Sequence, residues 1–447
     1  MSDLFVIGAS GTKAYRTAMA AVSENIANVN TDGYSRRSVR TIESGASTAT
    51  MAFYISRGNF GGTQVAGVNR ATDPYLDANM RLTGMALGSA TARMRWLTDA
   101  ETALNDTDTG VGKLMTGMFQ NMDKLAASPS DTSLRVTTLD SISRVAAAFR
   151  QTAADLQSAS SGIATEARAS VANINVALDQ LANINGSLLR AQPGTSAYAQ
   201  LLDGRDAALQ QLSENLNVDV SFGAHDSVQI SFNGQTLVQG DAATTVAVTA
   251  NANGTLSFAT SGGTALTAPA NGTLGGLFSA AQTVTDRRAN LDTLAQQFVT
   301  DMNAWHAQGY TTTTPSMTGA PLLSYGGGAA SVAALITDPA ALATRSADGT
   351  LNGNLLTVQS TLRGNGSVEQ NWTALIATQA NLLTATKAEQ TTAQGRVDQA
   401  VAAREAVSGV DLDMEAADLL RLQQAYAASA KILQVAKQTV DSILQII

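Results

Sequence analysis

The residues in this sequence best placed to do chemistry lie in Leu201-Leu202-Asp203-Gly204-Arg205-Asp206, where two carboxylates flank a guanidinium at the start of an apolar-periodic stretch. One reading makes an aspartate a general base poised by Arg205. The other makes Asp203, Arg205 and Asp206 a capping and ion-pair network at a helix start. Nothing around the segment completes an active site, so the second is favoured. His225 and His306 are the only histidines, and they fall in different elements. A metal centre needs three or four convergent ligands, and a catalytic triad needs a nucleophile, a base and an orienting group. Both are therefore read as surface or packing histidines. Asp106-Thr107-Asp108-Thr109-Gly110 opens like a calcium loop. Val111, however, occupies the sixth position, where the sharp turn needs glycine, and Gly117 the twelfth, where a bidentate glutamate is needed. Gly110-Val111-Gly112-Lys113 has the look of a phosphate loop, but Leu114 stands where a serine or threonine would hold magnesium. No catalytic residue, metal or cofactor is expected.

The elements that position these residues follow from composition and periodicity. With 447 residues the chain has room for two or three domains. Seven prolines permit long helices, and 37 glycines require turn-rich stretches as well. A net charge of −8 argues against nucleic acid, which calls for a basic stripe. The absence of cysteine excludes disulfides, thiolate zinc sites and cysteine nucleophiles. The opening MSDLFVIGAS has an apolar patch without a cationic region before it, too short for a secretory signal or a membrane span. Membrane insertion is not expected.

Tyr15, Ala18, Val22, Ile26 and Val29 recur at intervals of three and four, which predicts an amphipathic helix over the first thirty residues. A turn follows at Asn28-Val29-Asn30-Thr31-Asp32-Gly33, ended by a glycine that tolerates positive φ. Residues 35–70 read as extended chain with a break at Gly58-Asn59-Phe60-Gly61-Gly62. From 73 to 216 the apolar spacing is helical through 76–104, 114–125, 134–149, 171–189 and 201–216, with Ser130 or Asp131 available as a cap. Residues 218–260 alternate, with Asn233-Gly234 and Asn253-Gly254 as hairpin turns. A helix is expected over 275–306, then a Gly/Thr/Ser-rich region to about 366, then helix to the end. The fold class is thus mainly α with a β insert: long terminal helices and a helical bundle flank a small antiparallel β-rich outer domain.

The last 36 residues carry the clearest repeat. Leu412, Leu419, Tyr426, Leu433, Val440 and Ile447 fall seven apart, while Leu422, Ala436 and Ile443 fill a second row that Glu415 and Ser429 interrupt. Asp411 is placed to cap this helix. Such a stripe must be buried, since each large apolar side chain is worth about 1.5–3 kcal/mol. Periodicity alone leaves two partners open: the N-terminal helix of the same chain, or other subunits.

Two segments go beyond periodicity. Ser23-Glu24-Asn25-Ile26-Ala27-Asn28-Val29-Asn30-Thr31-Asp32-Gly33-Tyr34-Ser35-Arg36 resembles the N-terminal signature of bacterial flagellar rod, hook and hook-associated proteins, with Asp32 where proline is usual. Ser408-Gly409-Val410-Asp411-Leu412-Asp413, running into Leu420-Arg421-Leu422-Gln423-Gln424-Ala425-Tyr426, is similar to the partner signature at the other end. Internally, Ser128-Pro129-Ser130-Asp131 with Arg135, and the segments 202–206, 233–240 and 272–277, look like those of the hook-associated proteins at the hook–filament junction. The resemblance implies a structural subunit exported without a cleaved signal through the flagellum's own type III apparatus to an extracellular position. It implies partners as well: copies of the same chain, hook subunits, the next hook-associated protein, and an export chaperone on the C-terminal helix. It shifts the expected burial of both terminal stripes to neighbouring subunits.

The resulting plan places an assembly helix at 1–35, a connector at 36–72 and helical-domain segments at 73–217. A β-rich outer domain at 218–274, a returning helix at 275–308 and a mixed outer region at 309–365 come next. Further helical-domain chain at 366–410 leads to a terminal assembly helix at 411–447. The alternatives are another axial protein (hook subunit, flagellin or a later hook-associated protein) and, further off, a glycan- or host-binding module.

Overall fold

The computed structural model describes residues 2–31, 33–44 and 61–445. The chain opens with helix α1 (Ser2–Ala27), which gives way to a turn in which Gly33 adopts a φ of 79°. Strands β1 (Arg37–Glu43) and β2 (Thr63–Arg70) form an antiparallel pair with Arg37 opposite Arg70. Most of the Gly58–Gly62 break, Asp32 of the turn and Ile447 lie outside the described residues. Helix α2 (Pro74–Ala103) starts on a proline, whose missing N–H costs nothing at a helix start, and on the carboxylate of Asp73, which accepts from the Tyr75 N–H at 2.8 Å. Helix α3 (Val111–Ala127) follows. Asp106, the supposed calcium ligand, instead accepts from the Lys113 N–H at 2.8 Å and serves the start of that helix.

Next comes α4 (Thr132–Leu188), a single helix of 57 residues where the sequence suggests two. The stretch between the two apolar-periodic segments is rich in Ala, Ser and Thr, yet it buries Leu156, Ala159, Ile163 and Ala167 at helical spacing. Small residues weaken the hydrophobic signal without breaking the helix. Of the two candidate caps, Asp131 is the one used. It accepts from the Ser133 and Leu134 N–H groups at 2.8 and 3.2 Å, while Ser130 is exposed. Helix α5 (Ser196–Asn215) is capped by Thr195.

The β insert is two sheets. Strands β3 (Asp219–Phe222), β4 (Val228–Phe232), β5 (Gln235–Gln239) and β6 (Ala242–Ala243) form one antiparallel sheet in sequential order. Strands β7 (Val246–Ala250), β8 (Leu256–Thr260) and β9 (Ala265–Leu266) form the other. The Asn233-Gly234 turn has both residues at positive φ (48° and 85°), as a two-residue hairpin between right-twisted strands requires. Helix α6 (Gly272–Gln308), short strands β10 (Leu323–Ser324) and β11 (Ala333–Ala334) and the one-turn helix α7 (Val358–Thr361) precede α8 (Val368–Ser408) and α9 (Leu412–Leu444).

The chain divides into two compact units. One comprises Met1–Ala86, Asn173–Thr245 and Ala393–Ile447, the other Leu87–Ala172 and Val246–Thr392. The segment 218–274, expected as one β-rich domain, is divided between them at Thr245. In the second unit Phe149 stacks near Phe298 and meets Trp372 edge-on, with centroids 5.5 and 6.5 Å apart. The region 309–365, expected as an outer domain, belongs to this unit and buries Leu322, Leu323, Val332 and Leu342. Arg135 holds it by donating to the Leu342 carbonyl at 3.0 Å and the Thr344 hydroxyl at 2.7 Å. His306 does the same from α6. Its Nδ1 pairs with the Ala320 carbonyl, its Nε2 accepts from the Ala343 N–H, and burial pushes its pKa down. It is a neutral packing histidine.

Gly162 of α4 lies against the Trp96 ring, where an added Cβ would fall 2.2 Å from a ring carbon. Alanine normally gains about 1 kcal/mol over glycine in a helix, but overpacking a rigid core costs about 1–3 kcal/mol. Gly162→Ala is therefore expected to lower the melting temperature, as read by circular dichroism. A raised melting temperature would show that the Trp96 contact gives way easily.

Candidate assembly interface

Within the first unit, α1 and α9 lie side by side and antiparallel. Two glycines on α1 make the approach close. A Cβ at Gly8 would sit 2.8 Å from Leu433, and one at Gly11 would sit 2.7 Å from the Ser429 hydroxyl. The buried line of α1 runs through Gly8, Gly11, Ala14, Ala21, Val22 and Asn25. It lies beside the stripe anticipated from sequence, of which Val22 is buried and Tyr15, Ala18, Ile26 and Val29 are half-buried. On α9 the buried residues are Glu415, Ser429 and Ala436. Ser429, which looks like an interruption of the second heptad row, thus lies at the close approach, because a tight seam needs small side chains, while Glu415, the other interruption, is buried at the start of α9. Leu419, Leu422, Leu433 and Val440 are half-buried flanks, and Leu412, Tyr426 and Ile443 are exposed. Each terminal helix finds a partner inside the chain. Both still present apolar side chains outward: Leu4, Phe5 and Val6 on α1, and Met414, Leu420 and Leu444 on α9. Exposed apolar side chains on both helices are consistent with an interaction face.

The base of the pair is fixed by charge. Asp203 of α5 accepts from Arg37 at 2.9 Å and from Arg70 at 2.7 Å. Those arginines stand opposite each other on β1 and β2, so Asp203 offsets a cross-strand repulsion. Arg37 also reaches Glu24 of α1 at 2.6 Å, and Arg70 reaches Asp206, which in turn receives Arg205. Three guanidinium groups meet three carboxylates, and all but Glu24 are nearly buried. Asn25, 1% exposed, donates its amide to the Arg37 carbonyl at 2.9 Å and accepts the Arg37 N–H at 2.8 Å, standing in for a neighbouring strand. The Tyr34 hydroxyl donates to the same Asn25 oxygen, and burial pushes its pKa up to about 12. Asn28 closes the end of α1 by donating to the Glu24 carbonyl. Gly33 packs against Ala207 of α5. The Arg36 N–H donates to the Ser408 carbonyl at 2.9 Å, and the Asp411 carboxylate caps α9 by accepting from Asp413 and Met414.

Asn25 and Ser35, the buried residues of the N-terminal signature among those described, both take part in this knot, Ser35 by accepting from Arg70 at 3.3 Å. Sequence reasoning placed Asp203, Arg205 and Asp206 in an ion-pair network but missed Glu24, Arg37 and Arg70. The only signal for them is their charge, Glu24 near the end of a helix and Arg37 and Arg70 at extended positions. His225, at a φ of 54°, is exposed in the turn before β4. Among the described residues no group of three or more His, Cys, Asp or Glu side chains could hold a metal ion.

The comparisons with known proteins bear on what such a pair is for. The model of the flagellar hook-associated protein FlgK helical domain matches residues 97–322, half of the chain. The chain belongs to the FlgK hook-associated family. The model of the flagellar basal body rod FlgEFG protein C-terminal region matches residues 404–446, and that of the flagella basal body rod protein matches residues 5–34. The α1–α9 pair is therefore built from the two segments shared across the wider rod and hook group. Flagellar hook-associated protein 1 of Salmonella typhimurium is 26% identical over 329 residues, which cover 69% of this chain and 57% of the relative. Its counterpart in Bacillus subtilis is 26% identical over 212 residues, 47% of this chain and 42% of the relative. The chain thus spans about half the length of the curated relatives it matches. The structure of the flagellar hook junction protein FlgK from Burkholderia pseudomallei shares the fold, with a TM-score of 0.66 and 14% identity over 75% of this chain and 100% of that one.

Removing Asp203 leaves Arg37 and Arg70 buried, opposed and alike in charge. Breaking a buried pair by deleting one partner costs about 3–5 kcal/mol. Asp203→Ala is expected to lose that much in urea denaturation, with amide exchange of β1 and β2 speeding first. A loss under 1 kcal/mol would mean that water or Glu24 and Asp206 compensate.

Proposed function

We propose that this chain is a structural subunit of the bacterial flagellum that forms the junction between hook and filament by helix-mediated self-assembly, without catalysis. The observation that carries the reading is the α1–α9 pair in a chain of the FlgK family. Its inner seam is narrow and already filled, while its outer faces remain apolar. Burying that outer surface against neighbours is worth on the order of 10 kcal/mol at about 25 cal/mol per Å². The pair is then a preformed unit whose second burial comes from other subunits. This reading supplies both candidate partners of the terminal stripes at once.

The partners are copies of the chain itself, hook subunits below and the next hook-associated protein above. An export chaperone covering the C-terminal helix before assembly fits the same apolar face. The site of action is extracellular, reached through the flagellar type III apparatus. A net charge of −8 fits neither nucleic acid nor an anionic lipid surface, and among the described residues no helix is long and apolar enough to cross a membrane.

Immunogold labelling of intact flagella, with antibody against residues 218–365, is expected to mark one spot where hook meets filament. Label along the hook or the filament would point to another axial role, and no flagellar label would overturn the assignment. Leu420, 61% exposed in the single chain, offers a finer test. Leu420→Asp is expected to leave the melting temperature of the monomer unchanged and to reduce incorporation into flagella at least tenfold, about 1.4 kcal/mol or more. Normal incorporation would show that this face stays in water.

A further inference from the structure

Within the first unit a cleft of about 1220 Å³ opens where the turn after α1, α5 and the α8–α9 link meet. Several of its charges are already matched. Asp77 pairs with Arg404 at 2.9 Å, Asp206 belongs to the network described above, and Asp411 is engaged in capping α9. Glu415 is different. It lines the cleft and is only 5% exposed, and its Oε2 has no hydrogen-bond partner among the described residues. Its place in the first turn of α9 suits a negative charge. A buried carboxylate without a counter-ion is nonetheless a costly arrangement. Glu214 and Glu405 add further carboxylates to the lining; Arg36 and Arg81 are the cations there besides Arg404.

The opposite imbalance stands on α1. Between Leu4 and Ser23 the only charged residues are Lys13 and Arg16. Both are exposed, neither forms an ion pair among the described residues, and helical geometry turns them away from the Gly8–Gly11–Ala14 line that faces α9. Resting on the assembly reading above, we infer that the Glu415 cleft is a socket for a second copy of this chain, entered by the Lys13 and Arg16 side chains of that copy's N-terminal helix. A guanidinium delivers two parallel N–H donors to one carboxylate, so Arg16 entering the cleft supplies the partner that the buried Oε2 of Glu415 lacks. The contact joins the start of one subunit's C-terminal helix to the outer face of its neighbour's N-terminal helix. It is self-complementary but not two-fold, the kind of contact that generates rings or helical arrays.

The test uses the full chain, whose lack of cysteine makes thiol cross-linking unambiguous. Cells without their own copy express a Glu415→Cys chain and an Arg16→Cys chain together, and purified flagella are mildly oxidised. A covalent dimer that needs both variants is expected. Copies that reach the flagellum without forming the dimer would overturn the socket and leave the assembly role standing. If the unsubstituted chain also fails to reach the flagellum, the assembly role itself falls. A near-isosteric Glu415→Gln chain guards against a folding artefact. It is expected to keep its melting temperature and to incorporate about tenfold less, whereas normal incorporation would overturn the proposal.

Discussion

The architecture of the terminal region depends on one carboxylate between two arginines. Asp203 accepts from Arg37 and Arg70, which face each other across a two-stranded hairpin, and it offsets their like charges. Glu24 brings α1 to the same point, and Asp206 with Arg205 brings α5. Because these groups are largely withdrawn from water, each interaction is screened less than a surface pair, and the loss of a member leaves its buried partners with one ion pair fewer. The knot specifies where α1 ends and therefore which of its residues meet α9. Hydrophobic burial alone, being non-directional, does not set that register.

The α1–α9 pair then has two kinds of surface. Its inner seam relies on glycine, alanine and serine, which contribute little transfer free energy but permit close backbone approach and many small dispersion contacts. Its outer faces carry the leucines, valines and methionines that a self-sufficient helical hairpin would have turned inward. This inverts the usual order of a helical hairpin, and under the proposed function the two kinds of surface serve two partners, one inside the chain and one outside it.

Much of this was legible in the sequence, and the failures are instructive. The helical terminal segments, the Asn233-Gly234 hairpin and the Asp131 and Asp411 caps follow from local chemistry, because each depends on residues within a few positions of one another. Continuity of α4 through 150–170 did not, because alanine and serine give a weak periodic signal even where every fourth residue is buried. The role of Glu415 and Ser429 was read backwards: an apolar-stripe argument treats small or charged residues as breaks, while close packing selects the small ones. Arg37 and Arg70 are separated from Asp203 by well over a hundred positions, and only the folded hairpin brings them together. The division of the β insert at Thr245 left no mark in its alternation, since both sheets are antiparallel and half-buried.

The antiparallel pairing of α1 and α9 also has a mechanical side. The start of α1 and the end of α9 lie at one extremity of the pair, and the chain continues from the other through Ala27 and Leu412. A pull transmitted along the pair is shared by two covalent strands. It arrives at two neighbouring points that are stitched together by the Arg36–Ser408 backbone hydrogen bond. Tension along the axis is therefore carried by two helices in parallel, and an unequal share between them loads the seam in shear, where its many small contacts act at once, rather than peeling it open one contact at a time. A narrow, evenly packed seam suits such a load better than a few large side chains would.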